Sequence, residues 1–304
     1  MRHSLAKFPG SDGTPHARIA ADWKKRAIVL TDPATWPRYT RGVADLRPIF
    51  RELVRALRIW NVSVEVLWRR DAPLDIWIRD WGFVEGVFFR YAPDYANALY
   101  SRSALIRARQ ALVCRLGVQC RAIPVTLDGG NVIHNGRVAI LTEKVLRANA
   151  DLSRGEIERA LISLGFERVV FIPLEAGDEI GHADGMCRFV SERVLLVNDY
   201  DTAAMSSFGR RLRRVLKAAK LNAELVALPW FSRDGRVDRV PSAEGCYMNF
   251  LHLAQGVIVP GFANRKDDKA REVLAEVTGG PVATVAATPL AKLGGVFNCI
   301  SLTF

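Results

Sequence analysis

The chain has 304 residues, 49% hydrophobic and 25% charged, the balance of a soluble globular protein. Lysine and arginine outnumber aspartate and glutamate by 43 to 32, which leaves a net charge of +11. No apolar run approaches the roughly 20 residues of a membrane span, the first ten residues lack a signal-peptide core, and five cysteines without a CxxC pair argue against a disulfide framework or a zinc knuckle.

Hydrophobic periodicity repeats one unit five times along the chain: a strand, an amphipathic helix and a second strand. Strand 27–30 precedes a helix with Leu46, Ile49, Phe50, Leu53, Val54 and Leu57 on one face, and 62–67 then alternates as a strand. The second unit is strand 86–89, helix 104–116 and strand 118–123. The third is strand 137–141, helix 154–164 and strand 168–172. The fourth is strand 193–197, helix 206–219 and strand 223–228. The fifth is strand 256–259, helix 268–277 and strand 282–285. Units of roughly 50–60 residues are long for a solenoid and suit five blades closing on themselves. No Pro-, Gly- or Ser-rich linker divides them, so residues 1–304 are expected to form one α/β domain. Such a protein is expected in the cytoplasm, and its oligomeric state stays open.

The basic residues are dispersed. Their densest group, Arg210, Arg211, Arg213 and Arg214 with Lys217 and Lys220, falls on a predicted helix whose solvated face it would form. No nucleic-acid recognition motif accompanies the charge, so nucleic acid is not an expected partner.

The polar motifs fall between the units. Asp80 lies between units one and two, Asp128-Gly-Gly-Asn131 between two and three, and His182 and Asp184 between three and four. Asn249 lies between four and five, and Cys299 follows the fifth. In a closed arrangement, equivalent positions meet near one axis, and these distant residues would share a pocket. In Asp75-Ile-Trp-Ile-Arg-Asp-Trp81, the aromatic Trp77 beside the carboxylate of Asp80 suits a flat cation. Read as an extended segment, His182-Ala-Asp184 would send both side chains to one face. The glycines of Gly294-Gly-Val-Phe-Asn-Cys299 let the backbone present a thiol to a bound ligand. A thiol, an imidazole and two carboxylates are the groups that hydrolysis of a guanidinium requires.

These motifs resemble those of the agmatine deiminase and bacterial (Porphyromonas-type) peptidylarginine deiminase family, within the guanidino-group-modifying or pentein superfamily. Trp77-Ile-Arg-Asp80 resembles its W-x-R-D, and Gly181-His-Ala-Asp-Gly-Met-Cys-Arg-Phe189 its G-H-x-D-G-M-x-R-F. Gly294–Cys299 resembles its nucleophile loop, with Asn298 where the family usually has His. The resemblance implies a five-bladed α/β propeller with pseudo-fivefold symmetry, and a deiminase that converts a guanidino group to a ureido product and ammonia. It implies Cys299 as nucleophile, His182 as general acid and base, and Asp80 and Asp184 as guanidinium ligands. Asp128 and Asn249 would shape or line the site, and Arg90 or Arg102 would meet a peptide carboxylate. The substrate would be agmatine or a peptidyl or C-terminal arginine, and no metal or organic cofactor is implied. An amidinotransferase with the same residues, or a non-catalytic pentein that binds the ribosome, are the rival readings.

Overall fold

The first sheet is built around Ala27–Thr31 (β1), an apolar run whose last four residues are buried. In this computed structural model the described residues are 19–304, apart from 41–43, 94–100, 176, 203, 233–234 and 238–239. Arg47–Ile59 (α1) follows, with Pro48 in its first turn, where a missing N–H is harmless. Its buried residues Ile49, Leu53, Val54 and Leu57 recur at helical spacing, and this stripe packs on the sheets below. Truncating the fully buried Leu53 to alanine would cost about 2–5 kcal/mol. The chain returns as Ser63–Leu67 (β2), parallel to β1.

The same βαβ crossover recurs four more times. The short helix Ile78–Trp81 (α2) leads into Val87–Arg90 (β3), which pairs in parallel with Arg121–Thr126 (β4) across Arg102–Leu116 (α3). Ile133–His134 (β5) and Val138–Thr142 (β6) form a hairpin. After Lys144–Ala148 (α4) and Arg154–Ile162 (α5), Arg168–Ile172 (β7) lies parallel to β6. A capping box starts α5: Ser153 Oγ accepts from the Glu156 N–H, and the Glu156 carboxylate accepts from the Ser153 N–H.

Cys187–Ser191 (β8) and Val194–Asn198 (β9) make the next hairpin, joined through Ser206–Ala218 (α6) to Glu224–Leu228 (β10). A small hairpin, Arg236–Val237 (β11) with Val240–Pro241 (β12), stands apart. Leu251–Leu253 (β13), Gly256–Gly261 (β14), Asp267–Thr278 (α7) and Val282–Ala286 (β15) repeat the pattern. After Thr288–Ala291 (α8), Ser301–Thr303 (β16) returns antiparallel to β1.

Four of the five sheets therefore carry a third strand that periodicity alone does not predict. Each is a short antiparallel strand set before or beside the parallel pair: β5, β8, β13 and β16. At two to five residues they are too short to show an alternation of their own. The second unit differs otherwise. Its outer strand is 121–126 instead of 118–123, because the strand runs through Pro124. In a two-stranded sheet β4 is an edge, where a residue without an N–H is tolerated. The buried residues gather into four apolar clusters, one spanning the β1 and β13–β15 sheets and the others centred near β8–β10, β5–β7 and β3–β4. Among the described residues no helix is long and apolar enough to cross a membrane.

Candidate active site

Apart from Arg90 and Arg102, the sequence-predicted polar residues of the site sit in or beside short turns that lead into a strand. Asp80 is in α2, ahead of β3. A 3-10 turn at Gly129–Asn131 precedes β5, one at Ala183–Gly185 precedes β8, and one at Tyr247–Asn249 precedes β13. The turn that holds Cys299 precedes β16. The extended reading of 182–184 holds only for His182, since Asp184 belongs to the 3-10 turn.

Hydrogen bonds join these turns in sequence. The Gly130 N–H donates to Asp80 Oδ1 (3.0 Å), and the Ala183 N–H to Asn131 Oδ1 (3.2 Å). Asn249 Nδ2 donates to Asp184 Oδ2 (3.0 Å), the Asn298 N–H to the Asn249 carbonyl (3.1 Å), and the Arg79 N–H to the Cys299 carbonyl (3.1 Å). Asn249 Oδ1 also accepts from the N–H groups of Val296 (3.1 Å) and Cys299 (3.3 Å), so one amide shapes the turn that holds Cys299.

The side chains converge. A Cβ added to Gly130 would lie 2.7 Å from Asp80 Oδ1, 2.8 Å from His182 Nδ1 and 3.3 Å from Asp184 Oδ2. A Cβ on Gly295 would lie 2.7 Å from the Trp77 ring and 3.1 Å from Cys299 Sγ. Cys299 Sγ is 3.9 Å from Asp184 Oδ2. Glycines at 130 and 295 thus let the backbone pack directly against these groups, where any side chain would collide with them.

Asp128 sits against His182 rather than only shaping its loop. Its Oδ2 is 2.9 Å from His182 Nε2 and 3.3 Å from Lys144 Nζ, while His182 Nδ1 is 3.5 Å from Asp80 Oδ1. Lys144 is anchored in turn by donating to the Ile180 carbonyl (2.8 Å). Burial opposes a charge on His182, but the Asp80 charge and the Asp128 hydrogen bond outweigh it and hold the imidazole above its ordinary value. Burial likewise raises Asp128, and the His182 and Lys144 contacts reverse that and keep its carboxyl low. Asp80 is pushed up to about 6, chiefly by burial and then by the Asp128 and Asp184 charges. Burial, Asp184 and Asp80 together push the Cys299 thiol well above its usual range. The charges around the site therefore favour an imidazolium beside a neutral thiol.

A cavity of about 330 Å³ opens on Cys299, His182, Asp184 and Asn249, and Glu175, Asp178 and Glu244 also line it. Glu175 accepts from the Tyr200 hydroxyl (2.6 Å), yet burial still raises it to about 7.

A family model described as Porphyromonas-type peptidyl-arginine deiminase matches residues 26–304. The chain belongs to that family. Membership makes it a hydrolase acting on carbon–nitrogen bonds. Agmatine deiminase of Pseudomonas aeruginosa (strain LESB58) is 28% identical over 282 residues, covering 81% of this chain and 76% of that protein. Agmatine deiminase of Enterococcus faecalis superposes with a TM-score of 0.77 at 16% identity, covering 100% of this chain and 99% of that one. DDAH of Pseudomonas aeruginosa superposes with a TM-score of 0.61, also at 16% identity, covering 92% and 100%. These superpositions extend the likeness from motifs to the mixed α/β fold.

In this family member the expected site residues are not all in one place. Arg90 is exposed and lines a different cavity, of about 700 Å³, with Asp128 and Lys144. Arg102 is exposed at the start of α3. Sequence reading missed Lys144, Glu175, Asp178 and Glu244. The acids of Glu175-Ala-Gly-Asp178 stand only a few positions before the His182 motif, and that proximity was the available signal.

Proposed function

We propose that the protein is a deiminase that hydrolyses the guanidino group of a small dicationic compound of the agmatine type. The observation that carries this reading is the convergence of four groups: Asp80, His182 and Asp184 gather around Gly130, and Cys299 Sγ lies 3.9 Å from Asp184 Oδ2. The second positive charge is inferred from the cavity wall, where Glu175, Asp178 and Glu244 offer carboxylates and, among the described residues, no arginine lines it. The agmatine deiminases among its relatives agree with that choice. In this reading the five α/β units are the blades of a pseudo-fivefold propeller, and the hydrogen-bonded turns surround its axis.

The chemistry follows from the charges. Asp80 and Asp184 hold the guanidinium by paired charge-assisted hydrogen bonds, and the Trp77 ring offers it an aromatic face. The bound cation offsets the carboxylates that keep Cys299 protonated, so the thiolate forms only when substrate is present. Cys299 Sγ attacks the central guanidinium carbon. His182, held in its charged form by Asp80 and Asp128, gives its proton to the departing nitrogen, and the carbon–nitrogen bond breaks to release ammonia. The resulting S-alkylthiouronium is attacked by water, whose proton His182 takes. Collapse breaks the carbon–sulfur bond and leaves the ureido product and a regenerated thiol.

The test is to measure ammonia and ureido product from agmatine, free arginine and a C-terminal-arginine peptide, with Cys299→Ala as control. Cys299-dependent turnover with agmatine preferred is expected. Preference for the peptide would reverse the substrate assignment. Product that appears only with an added acceptor amine, without matching ammonia, would indicate an amidinotransferase. No product from any compound would favour a binding role.

A further inference from the structure

A second cavity, of about 240 Å³, is lined by Arg79 and Asn298 but by neither Cys299 nor His182. Its wall carries three cations, Lys25, Arg79 and Arg188, and two carboxylates, Asp22 and Glu85. Both carboxylates are engaged. Asp22 Oδ2 is 2.6 Å from Arg188 Nη2, and its Oδ1 accepts from the Thr303 hydroxyl (3.1 Å). Glu85 Oε1 is 2.6 Å from Lys25 Nζ and 3.5 Å from His134 Nε2.

Arg79 is left over. It is 9% exposed, its Nε donates to the Asn298 carbonyl (3.3 Å), and its Nη2 has no hydrogen-bond partner among the described residues. No carboxylate among those residues lies within ion-pair distance of it. The nearby Asp22, whose carboxyl the Arg79 charge helps keep low, is already paired with Arg188 and Lys25, so this guanidinium out of water has no carboxylate of its own unless a ligand supplies one.

We propose that this cavity is a binding site for a small anion of carboxylate size, taken up against Arg79. The position gives such a ligand a purpose. Arg79 holds the nucleophile turn at two points, through its N–H on the Cys299 carbonyl and its Nε on the Asn298 carbonyl. An anion that fixes the guanidinium stiffens the turn that presents Cys299, from a space the substrate does not enter.

The test reads binding directly and does not depend on turnover. Thermal melts of the full chain are followed in rising sodium formate and sodium acetate, at ionic strength held constant with gluconate, a bulkier anion. A saturable upward shift in Tm is expected for wild type. The shift is lost in Val118→Phe, which fills the cavity from its apolar wall, and in Arg79→Met, which removes the charge. Val118→Phe carries the test if Arg79→Met does not fold. Crystals soaked in bromide should show an anomalous peak at hydrogen-bond distance from the Arg79 guanidinium. Water alone in the cavity, or equal non-saturating shifts in wild type and Val118→Phe, would overturn the proposal.

Discussion

Asn298 Nδ2 donates to Asp184 Oδ2 at 2.6 Å, across 114 positions of the sequence. An amide N–H thereby holds one of the two carboxylates proposed to grip the guanidinium, and the amide oxygen has no hydrogen-bond partner among the described residues. The same carboxylate oxygen accepts from Asn249 at 3.0 Å, so two amides fix its direction.

Removing that bond should weaken the site without unfolding the protein. A hydrogen bond to a charged group is worth about 1.5–3 kcal/mol, so Asn298→Ala should lower kcat/KM by about 10- to 100-fold. Asn298→Asp, which places a second carboxylate against Asp184, should be worse than alanine. Steady-state kinetics with the best substrate checks both, and equal activity of alanine and wild type would refute the role.

Asp128 and Lys144 offer a test that separates chemistry from binding. Asp128→Asn keeps the shape beside His182 but removes the charge that helps hold its proton. General acid–base assistance contributes about 10²–10⁴-fold, so kcat should fall within that range while KM changes little. A rise in KM with kcat intact would instead make Asp128 a substrate ligand.

The buried cluster predicts a pH dependence of opposite sign for activity and stability. Guanidinium binding needs an ionised Asp80, so kcat/KM should fall as pH drops through about 6. Folding raises this carboxyl from 3.8 to about 6, so the folded protein binds its proton more tightly than the unfolded chain. The stability from this group is full below pH 3.8 and lost as pH rises through about 6. Asp80→Asn should therefore lose most activity yet unfold at higher temperature than wild type at pH 8, by roughly 3 kcal/mol at most. A mutant that is less stable at pH 8 would contradict this.

Gly130 is sensitive to the smallest change. A methyl group there would meet Asp80 Oδ1 and His182 Nδ1 at 2.7 and 2.8 Å, closer than real contacts allow. Gly130→Ala should abolish turnover while far-ultraviolet circular dichroism stays close to wild type. A fully active Gly130→Ala would place substrate elsewhere.

The residues show where sequence reading succeeds. The helix stripe of Ile49, Leu53, Val54 and Leu57 announces itself by its period, and β6, β9 and β14 by unbroken apolar runs that match their continuous burial. The pair Ile133–His134 in β5 has no period to show, and the strand through Pro124 contradicts local preference for a tertiary reason. In the site, Cys299, His182, Asp184 and Asp80 are legible from local motifs. The contact of Asp128 with His182 spans 54 positions and that of Asn298 with Asp184 spans 114, so neither leaves a local trace. Glu175 and Glu244 become visible only when the cavity is drawn.

The pairing of β16 with β1 has a consequence for how the enzyme matures. The strand that follows Cys299 finds its place on a partner from the far end of the sequence, among the least local contacts of the described residues. Loop closure over such a distance is slow relative to formation of the βαβ units, which fold on neighbouring segments. In refolding, helical signal and much of the tryptophan burial should return first, and catalytic competence last. The thiol remains ordinary and unarmed in that interval, so a half-finished molecule has no means of attacking guanidino compounds.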